Sequence, residues 1–566
     1  MSYKERYHQW LDDNYFDQET KEELESIAGD EAEIEDRFYT DLEFGTGGMR
    51  GVIGAGTNRI NKYTIRKATQ GLANYILKQL ERAKDQGVVI AHDSRFKSSE
   101  FALETAAVLN GNGIKIYLFS ELRPTPELSF AVRELGAAAG IVITASHNPA
   151  EYNGYKVYWS DEGQIVPRRA EGITAEIEEI TDYTAIKHFN REKAKKEGLF
   201  KVIGAEIDDR YIEKLKTLVN NPEVISEIDS DFKIIYTPLH GSGNKLVPRI
   251  LKEIGFSDVQ IVPEQKEPDP NFPTVDYPNP EEKSVFKLAL EMAEEEKPDL
   301  ILGTDPDADR LGLLLRRNDD YISLTGNQIG VLLMDYLLSQ RKKQQNLPNN
   351  GAVVKTIVTT ELARDIAEEY GVGVIDTLTG FKFIGEKIKE FEESNEQEFL
   401  FGFEESYGYL AGTFVRDKDA VMAAALVAEM AAYYKAKGLD LYQKLEKLMD
   451  RHGYYLDDLE SIVLKGKEGQ QQIEKILDTL RSQGPKRING RKVTAVRDYL
   501  TGIGDLPKSN VLQFDLEDGS KLTIRPSGTE PKLKLYFTAV GESWKEAENK
   551  LSKLKDELLN MVQDII

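Results

Sequence analysis

The chain has no cysteine in its 566 residues, which excludes disulfide scaffolds, thiolate zinc sites and cysteine nucleophiles together and fits a reducing compartment. It also lacks a long apolar run. The most apolar stretch, Ala420 to Tyr434 (AVMAAALVAEMAAYY), contains Glu429 and falls short of the roughly 20 residues that a membrane span requires, so it predicts a buried helix. Positive charge is scarce as well: 73 Lys and Arg against 97 Asp and Glu leave a net charge of −24, which repels phosphate backbones and anionic lipid. Nucleic acid and membrane are therefore not expected partners. The six histidines, at positions 8, 92, 147, 188, 240 and 452, show no metal-ligand spacing. The opening MSYKERYHQWLDDNY has neither the basic end nor the apolar stretch of a signal peptide, and a cytoplasmic protein is expected.

What is present is an ordinary globular composition, 40% apolar and 30% charged, in a chain long enough for roughly four domains at about 150 residues each. Three stretches repeat one plan of three short β-branched runs separated by helix-like spacers. The first runs are 88–95, 233–241 and 352–360, and the second are 114–120, 259–264 and 372–377. The third runs, GIVITASHNP (140–149), DLILGTDPDADR (299–310) and FLFGFEESYGY (399–409), end in three unlike polar loops. Ligands gather beyond the carboxyl ends of parallel strands, so three such loops can converge on one cleft. From about Leu439 the pattern changes to a helix at 441–449, strand-like runs and an amphipathic helix from Trp544. The expected architecture is three similar mixed α/β domains (1–208, 209–317, 318–438) followed by an α+β domain (439–566).

The three loops carry different chemistry. Asp305, Asp307 and Asp309 alternate directly after the apolar LIL, and three close carboxylates call for a divalent cation with a taste for hard oxygen, Mg²⁺. A calcium loop is excluded, because its sixth and twelfth positions would be Arg310 and Arg316 rather than Gly and Glu. Ser146 follows IVIT and is trailed by His147, Asn148, Pro149 and Lys156; no G-x-S-x-G elbow surrounds it. Beside a metal loop it reads as a hydroxyl that accepts and returns a phosphoryl group.

The third loop offers Glu404, Glu405 and Ser406, then Arg416, Lys418 and Asp419, groups suited to holding sugar hydroxyls and phosphate or moving a proton. Neighbouring residues on a strand face opposite ways, which argues against Glu404 and Glu405 as a glycosidase pair. In IRPSGTEPK, Arg525 with Ser527, Gly528 and Thr529 suits phosphate binding, the alternative being a plain β-turn. Thr46 and Arg50 in FGTGGMRG form another candidate phosphate contact.

Taken in order, TASHNP, GTDPDADR, FEES and RPSGTEPK resemble the phosphoserine, magnesium, sugar and phosphate loops of the α-D-phosphohexomutase family. FGTGGMRG and PDPNFPTVDYPNPE (268–281) are similar to the branch that holds phosphoglucomutases and phosphopentomutases. The resemblance implies four domains around a central cleft and interconversion of glucose 1-phosphate and glucose 6-phosphate, through a phosphoserine enzyme and a glucose 1,6-bisphosphate intermediate. Pentose or mannose phosphates are the alternative substrates. Carried over, Ser146 is the phosphorylated serine and completes an Mg²⁺ site with Asp305, Asp307 and Asp309. Arg310 stabilises the group in transfer, and Lys156 and Lys418 serve proton transfer or phosphate contact. His147, Thr46, Arg50, Thr379 and Gly380 of TLTGFK, Glu404, Ser406, Arg525, Ser527, Gly528 and Thr529 contact substrate. A monomer or weak homodimer is expected.

Two rival classes are weighed. A haloacid-dehalogenase-type phosphatase would use DPDAD as an aspartyl nucleophile, but its motif wants Thr or Val where Asp309 stands. A catalytically silent sugar-phosphate sensor could lose the serine or the carboxylates, and this chain keeps all of them.

Overall fold

The computed structural model describes residues 1–464, 466–527 and 532–566. They form two compact units, one made of Met1–Leu324, Gly385–Glu393 and Gly408–Tyr433, the other of Thr325–Ile384, Ser394–Tyr407 and Tyr434–Ile566. No helix among the described residues is long and apolar enough to cross a membrane.

The first unit opens with three helices, Tyr3–Asp12, Gln18–Ser26 and Glu31–Phe38, which the repeat pattern does not reveal. Each starts at a side-chain acceptor, Ser2, Asp17 or Asp30, that takes an orphan backbone N–H of the first turn. Their inner faces bring Tyr7, Trp10, Leu24 and Phe38 into a cluster with Tyr63 and with Phe16 from the turn between the first two helices, and Trp10 stacks on Phe16 at 4.3 Å.

Two sheets follow. In the first, strands Ala139–Ile143, Val88–His92, Ile116–Phe119 and Phe200–Ile203 lie side by side in parallel. The first three are buried along almost their whole length, as suits strands covered on both faces. The sheet is then extended by two strands absent from the parallel plan. Tyr152–Trp159 runs antiparallel beside Ala139–Ile143, and Gly48–Val52 runs antiparallel beside Tyr152–Trp159. Lys156 therefore lies on a strand, in register with Gly48, rather than in the loop after Ser146. Gly48 has no replacement at this approach: it sits at φ +134, and a Cβ there would come within 1.8 Å of the Tyr155 carbonyl oxygen.

The second sheet repeats the device. Strands Asp258–Ile261, Lys233–Thr237 and Leu300–Thr304 are parallel, and Leu311–Arg317 returns antiparallel beside Leu300–Thr304. The sheets are thus mixed rather than purely parallel. The apolar stretch predicted as a buried helix is one, Ala420–Lys435, with Ala420 through Tyr434 buried.

In the second unit, Gly373–Thr377, Gly351–Thr356 and Glu398–Glu404 are parallel neighbours. A separate six-stranded antiparallel sheet includes Tyr454–Val463, Lys532–Gly541, Lys521–Pro526 and Leu512–Leu516 in that order. Helices Gly466–Ser482 and Trp544–Ile565 contribute Ile476, Leu477, Leu554 and Leu558 to its core.

Candidate active site

In the first unit, strand Ala139–Ile143 ends three residues before Ser146, and strand Leu300–Thr304 ends directly at Asp305. The two loops meet. Ser146 Oγ donates to Asp305 Oδ2 at 2.8 Å, and its backbone N–H donates to Thr144 Oγ1 at 2.8 Å. Ser146 is 3% exposed and adopts φ +54. That left-handed conformation is uncommon for a residue with a Cβ and persists only where the surroundings enforce it. His147 Nδ1 lies 3.2 Å from Ser146 Oγ. Burial, reinforced by the Arg310 and Arg50 guanidiniums, pushes the His147 imidazole well below its usual range, so the ring is neutral at pH 7.

Asp305, Asp307 and Asp309 are buried, each offering one carboxylate oxygen within 4.8 Å of the others. Asp305 Oδ1 accepts the backbone N–H groups of Asp309 and Arg310, both at 3.0 Å, which closes the loop on itself. Asp307 Oδ2 accepts Lys156 Nζ at 2.7 Å and Thr125 Oγ1 at 2.8 Å. Lys418 Nζ stands 3.1 Å from Asp309 Oδ2, and Lys156 Nζ stands 3.6 Å from it. Two ammonium groups from distant parts of the sequence thus reach one carboxylate cluster.

Burial and the neighbouring Asp307 and Asp309 charges push the Asp305 carboxyl well up. Burial opposes ionisation of Asp307 too, but the Lys156 ammonium and the hydrogen bonds it receives outweigh that and hold Asp307 well below the carboxylate range. Asp307 Oδ1 and Asp309 Oδ1 are buried without a hydrogen-bond partner. Buried carboxylate oxygens left unsatisfied cost stability unless something else binds them. Three convergent oxygen donors, two of them bearing orphan atoms, fit a hard divalent cation.

The surrounding residues hold this arrangement. Thr125 opens helix Thr125–Leu135, and its backbone N–H donates to the Asp307 carbonyl at 2.9 Å while its hydroxyl holds the Asp307 side chain. Tyr158 donates to Asp417 Oδ2 at 2.5 Å, and Asp417 Oδ1 lies 3.3 Å from Lys418 Nζ, so Asp417 links the tyrosine to the lysine. Arg310 pairs with Glu281 and lies 3.9 Å from Asp309. Arg50 Nη1 donates to Asn148 Oδ1 at 3.1 Å, attaching strand Gly48–Val52 to the serine loop. Thr46, by contrast, is exposed in the turn before that strand.

The second unit gathers another set. Glu404 ends strand Glu398–Glu404, and its Oε1 accepts the Gly380 N–H at 2.8 Å. Gly380 takes φ +116 beside the half-buried Thr379, just before helix Phe381–Ser394. Glu405 turns to other partners, the hydroxyls of Thr356 and Thr359 at 3.3 and 3.4 Å, as expected for adjacent positions facing opposite ways. Ser406 is half-buried beyond them. Arg525 lies on strand Lys521–Pro526 opposite Lys534, and the Ser527 N–H donates to the Lys532 carbonyl at 2.7 Å. Tyr536 joins the two groups: burial and the Glu405 charge push its hydroxyl up, against the pull of Arg525. Gly528 and Thr529 lie outside the described residues.

The sequence reading missed Thr125, Asp417, Tyr158 and Tyr536. Their partners lie far away in the chain, so no local spacing marks them; TP at a helix start and DKD beside an apolar helix were the available hints.

Family models for phosphoglucomutase/phosphomannomutase α/β/α domains I, II and III match residues 41–184, 209–318 and 325–452, and the model for the C-terminal domain matches 418–550. The chain belongs to the phosphoglucomutase/phosphomannomutase family. Among its relatives, a protein named phosphoglucomutase from Staphylococcus haemolyticus is 39% identical over 517 residues, covering 89% of this chain and 91% of its own. A phosphoglucomutase of Staphylococcus aureus strain MRSA252 is 38% identical over 540 residues, covering 93% of this chain and 94% of its own. The fold is that of the Paramecium phosphoprotein parafusin, itself described as a phosphoglucomutase, with a TM-score of 0.71, 18% identity, and 93% of this chain and 95% of that one covered.

Proposed function

We propose that the chain interconverts glucose 1-phosphate and glucose 6-phosphate by two phosphoryl transfers through Ser146. The observation that carries the reading is the buried contact between Ser146 Oγ and Asp305, beside carboxylate oxygens of Asp307 and Asp309 that have no hydrogen-bond partner. In the first transfer the bond from phosphorus to Ser146 Oγ breaks and a bond to the free sugar hydroxyl forms, giving glucose 1,6-bisphosphate. After the bisphosphate turns over, its other phosphoryl group returns to Ser146. Asp305, Asp307, Asp309 and Ser146 would hold Mg²⁺, which would supply positive charge to neutralise the phosphoryl oxygens.

Arg310 is assigned to the transferring group, and Lys156 and Lys418 to phosphate contact and to moving the hydroxyl proton. His147, Thr46 and Arg50 would contact the substrate near the transfer. Thr379, Gly380, Glu404 and Ser406 would hold the sugar hydroxyls, and Arg525, Ser527, Gly528 and Thr529 the distal phosphate. Glucose as the sugar is supported by the names of the curated relatives.

Intact-mass measurement before and after exposure to glucose 1,6-bisphosphate tests the reading. One added phosphate on the peptide carrying Ser146 is expected, removed by glucose 1-phosphate or glucose 6-phosphate; a protein that never carries it would overturn the mechanism. A panel of hexose and pentose 1-phosphates tests the sugar, with glucose 1-phosphate expected to give the highest kcat/KM. For the sugar contacts, Glu404→Gln is expected to lower kcat/KM for glucose 1-phosphate by about 5- to 150-fold, the cost of weakening one buried charged hydrogen bond of roughly 1 to 3 kcal/mol. Hydrolysis of the phosphoserine by water should be little changed, and equal kcat/KM in the variant would place the sugar loop elsewhere.

A further inference from the structure

Behind the Ser146 loop lies a guanidinium that the steps above do not use. Arg95 follows strand Val88–His92 and is 3% exposed. Its Nη1 donates to the carbonyls of Pro149 at 2.7 Å and Tyr152 at 3.1 Å. Its Nη2 donates to the Ser146 carbonyl at 2.5 Å and to that of Asn148. One side chain thus ties down four carbonyls across the segment that carries the nucleophile.

The guanidinium is itself fixed. Arg95 Nε lies 3.4 Å from Asp93 Oδ2, both side chains being fully buried. Asp93 Oδ1 accepts the Arg95 N–H at 2.9 Å and Ser98 Oγ at 2.7 Å. Asn153 Nδ2 reaches both Ser98 Oγ and the Phe96 carbonyl at 2.9 Å. The Phe272 ring packs 5.1 Å from the guanidinium carbon.

We propose that Arg95 is a positioning residue for phosphoryl transfer, holding Ser146 in its left-handed turn so that Oγ stays aimed at the three aspartates. The inference rests on Ser146 being the phosphoryl carrier. A serine at φ +54 gains from relaxing toward extended backbone, and relaxation would swing Oγ away from Asp305. The bond from Arg95 to the carbonyl of Ser146 itself opposes that swing. The planar fork is needed for the task, since a lysine ammonium of the same charge cannot span four carbonyls. Transfer depends on sub-ångström placement of the attacking atom, whereas binding of the sugar depends on other groups.

Arg95→Lys tests this, with phosphorylation of Ser146 by glucose 1,6-bisphosphate followed by rapid-quench intact mass alongside steady-state kinetics. Expected are a 10- to 100-fold slower phosphorylation, an equal loss in kcat, and KM for glucose 1-phosphate within threefold of wild type. A purely stabilising role would lower the melting temperature and leave the phosphorylation rate of the folded fraction unchanged; that outcome overturns the proposal, as does an equal loss confined to KM. If Arg95→Lys does not fold, Asp93→Asn is measured, which keeps Arg95 and removes its counter-charge. At least threefold slower phosphorylation supports the proposal and an unchanged rate overturns it. Wild-type protein in the same assay separates the two ideas, because failure of wild type to be phosphorylated removes the phosphoserine reading itself.

Discussion

Ser146→Ala is expected to lower mutase turnover by about 10⁴-fold or more, since in the proposed mechanism Oγ is the atom that carries the phosphoryl group between the two halves of the reaction. The substitution removes one hydroxyl and its bond to Asp305. It leaves Arg310, Arg525 and the sugar loop intact, so glucose 1-phosphate should still bind within about threefold of wild type if those groups supply the binding free energy. A coupled assay for glucose 6-phosphate together with calorimetric titration distinguishes the two effects. Turnover within tenfold of wild type would show that Ser146 is a turn residue. Loss of binding in step with turnover would instead make the hydroxyl an anchor for substrate.

The second large effect concerns the carboxylates. Asp307→Asn keeps the size of the side chain and an oxygen to accept from Thr125, but removes the charge that meets Lys156. The three carboxylates that would hold a cation lose one negative charge, and a loss of about 100-fold or more in kcat is expected. The Mg²⁺ concentration for half-maximal activity should rise at the same time. Titration of activity against free Mg²⁺, after chelation of the wild type and the variant, is the measurement. Full activity of the wild type in excess chelator would remove the metal from the reaction, and an unchanged Mg²⁺ requirement in the variant would move Asp307 out of the metal site.

Much of this was readable because the informative residues are contiguous. GTDPDADR places three carboxylates beside an apolar strand within one short run, and the strand that delivers it, Leu300–Thr304, is where the sequence puts it. TASHNP and FEES are similarly compact. The opening helices escaped notice because each is short and mostly polar, and their apolar residues pay off only when Trp10, Phe16 and Phe38 meet Tyr63 from another part of the chain. Strand Tyr152–Trp159 escaped because its Asn153 and Gly154 read as turn residues. In the fold, Gly154 instead allows close approach, since a Cβ there would come within 2.3 Å of the Thr144 carbonyl oxygen. Arg95 sits in a short HDSR run that looks like surface. Its importance comes from carbonyls more than 50 residues away, which no local pattern encodes.

The pairing of strand Tyr152–Trp159 on both edges makes the stretch from Ser146 to Lys156 a link of fixed length. Lys156 is held opposite Gly48 on one side and Val142 on the other, and successive residues of a strand face opposite ways. The slack that loops ordinarily use to absorb a lost residue is gone here, because the carbonyls of Ser146, Asn148, Pro149 and Tyr152 are already committed to one guanidinium. A deletion of a single residue between them must therefore either tear the serine turn from its anchor or slip the strand by one position, and the slip would carry the Lys156 ammonium to the far face of the sheet. Length variation among natural or engineered relatives should accordingly collect in other loops rather than in this segment.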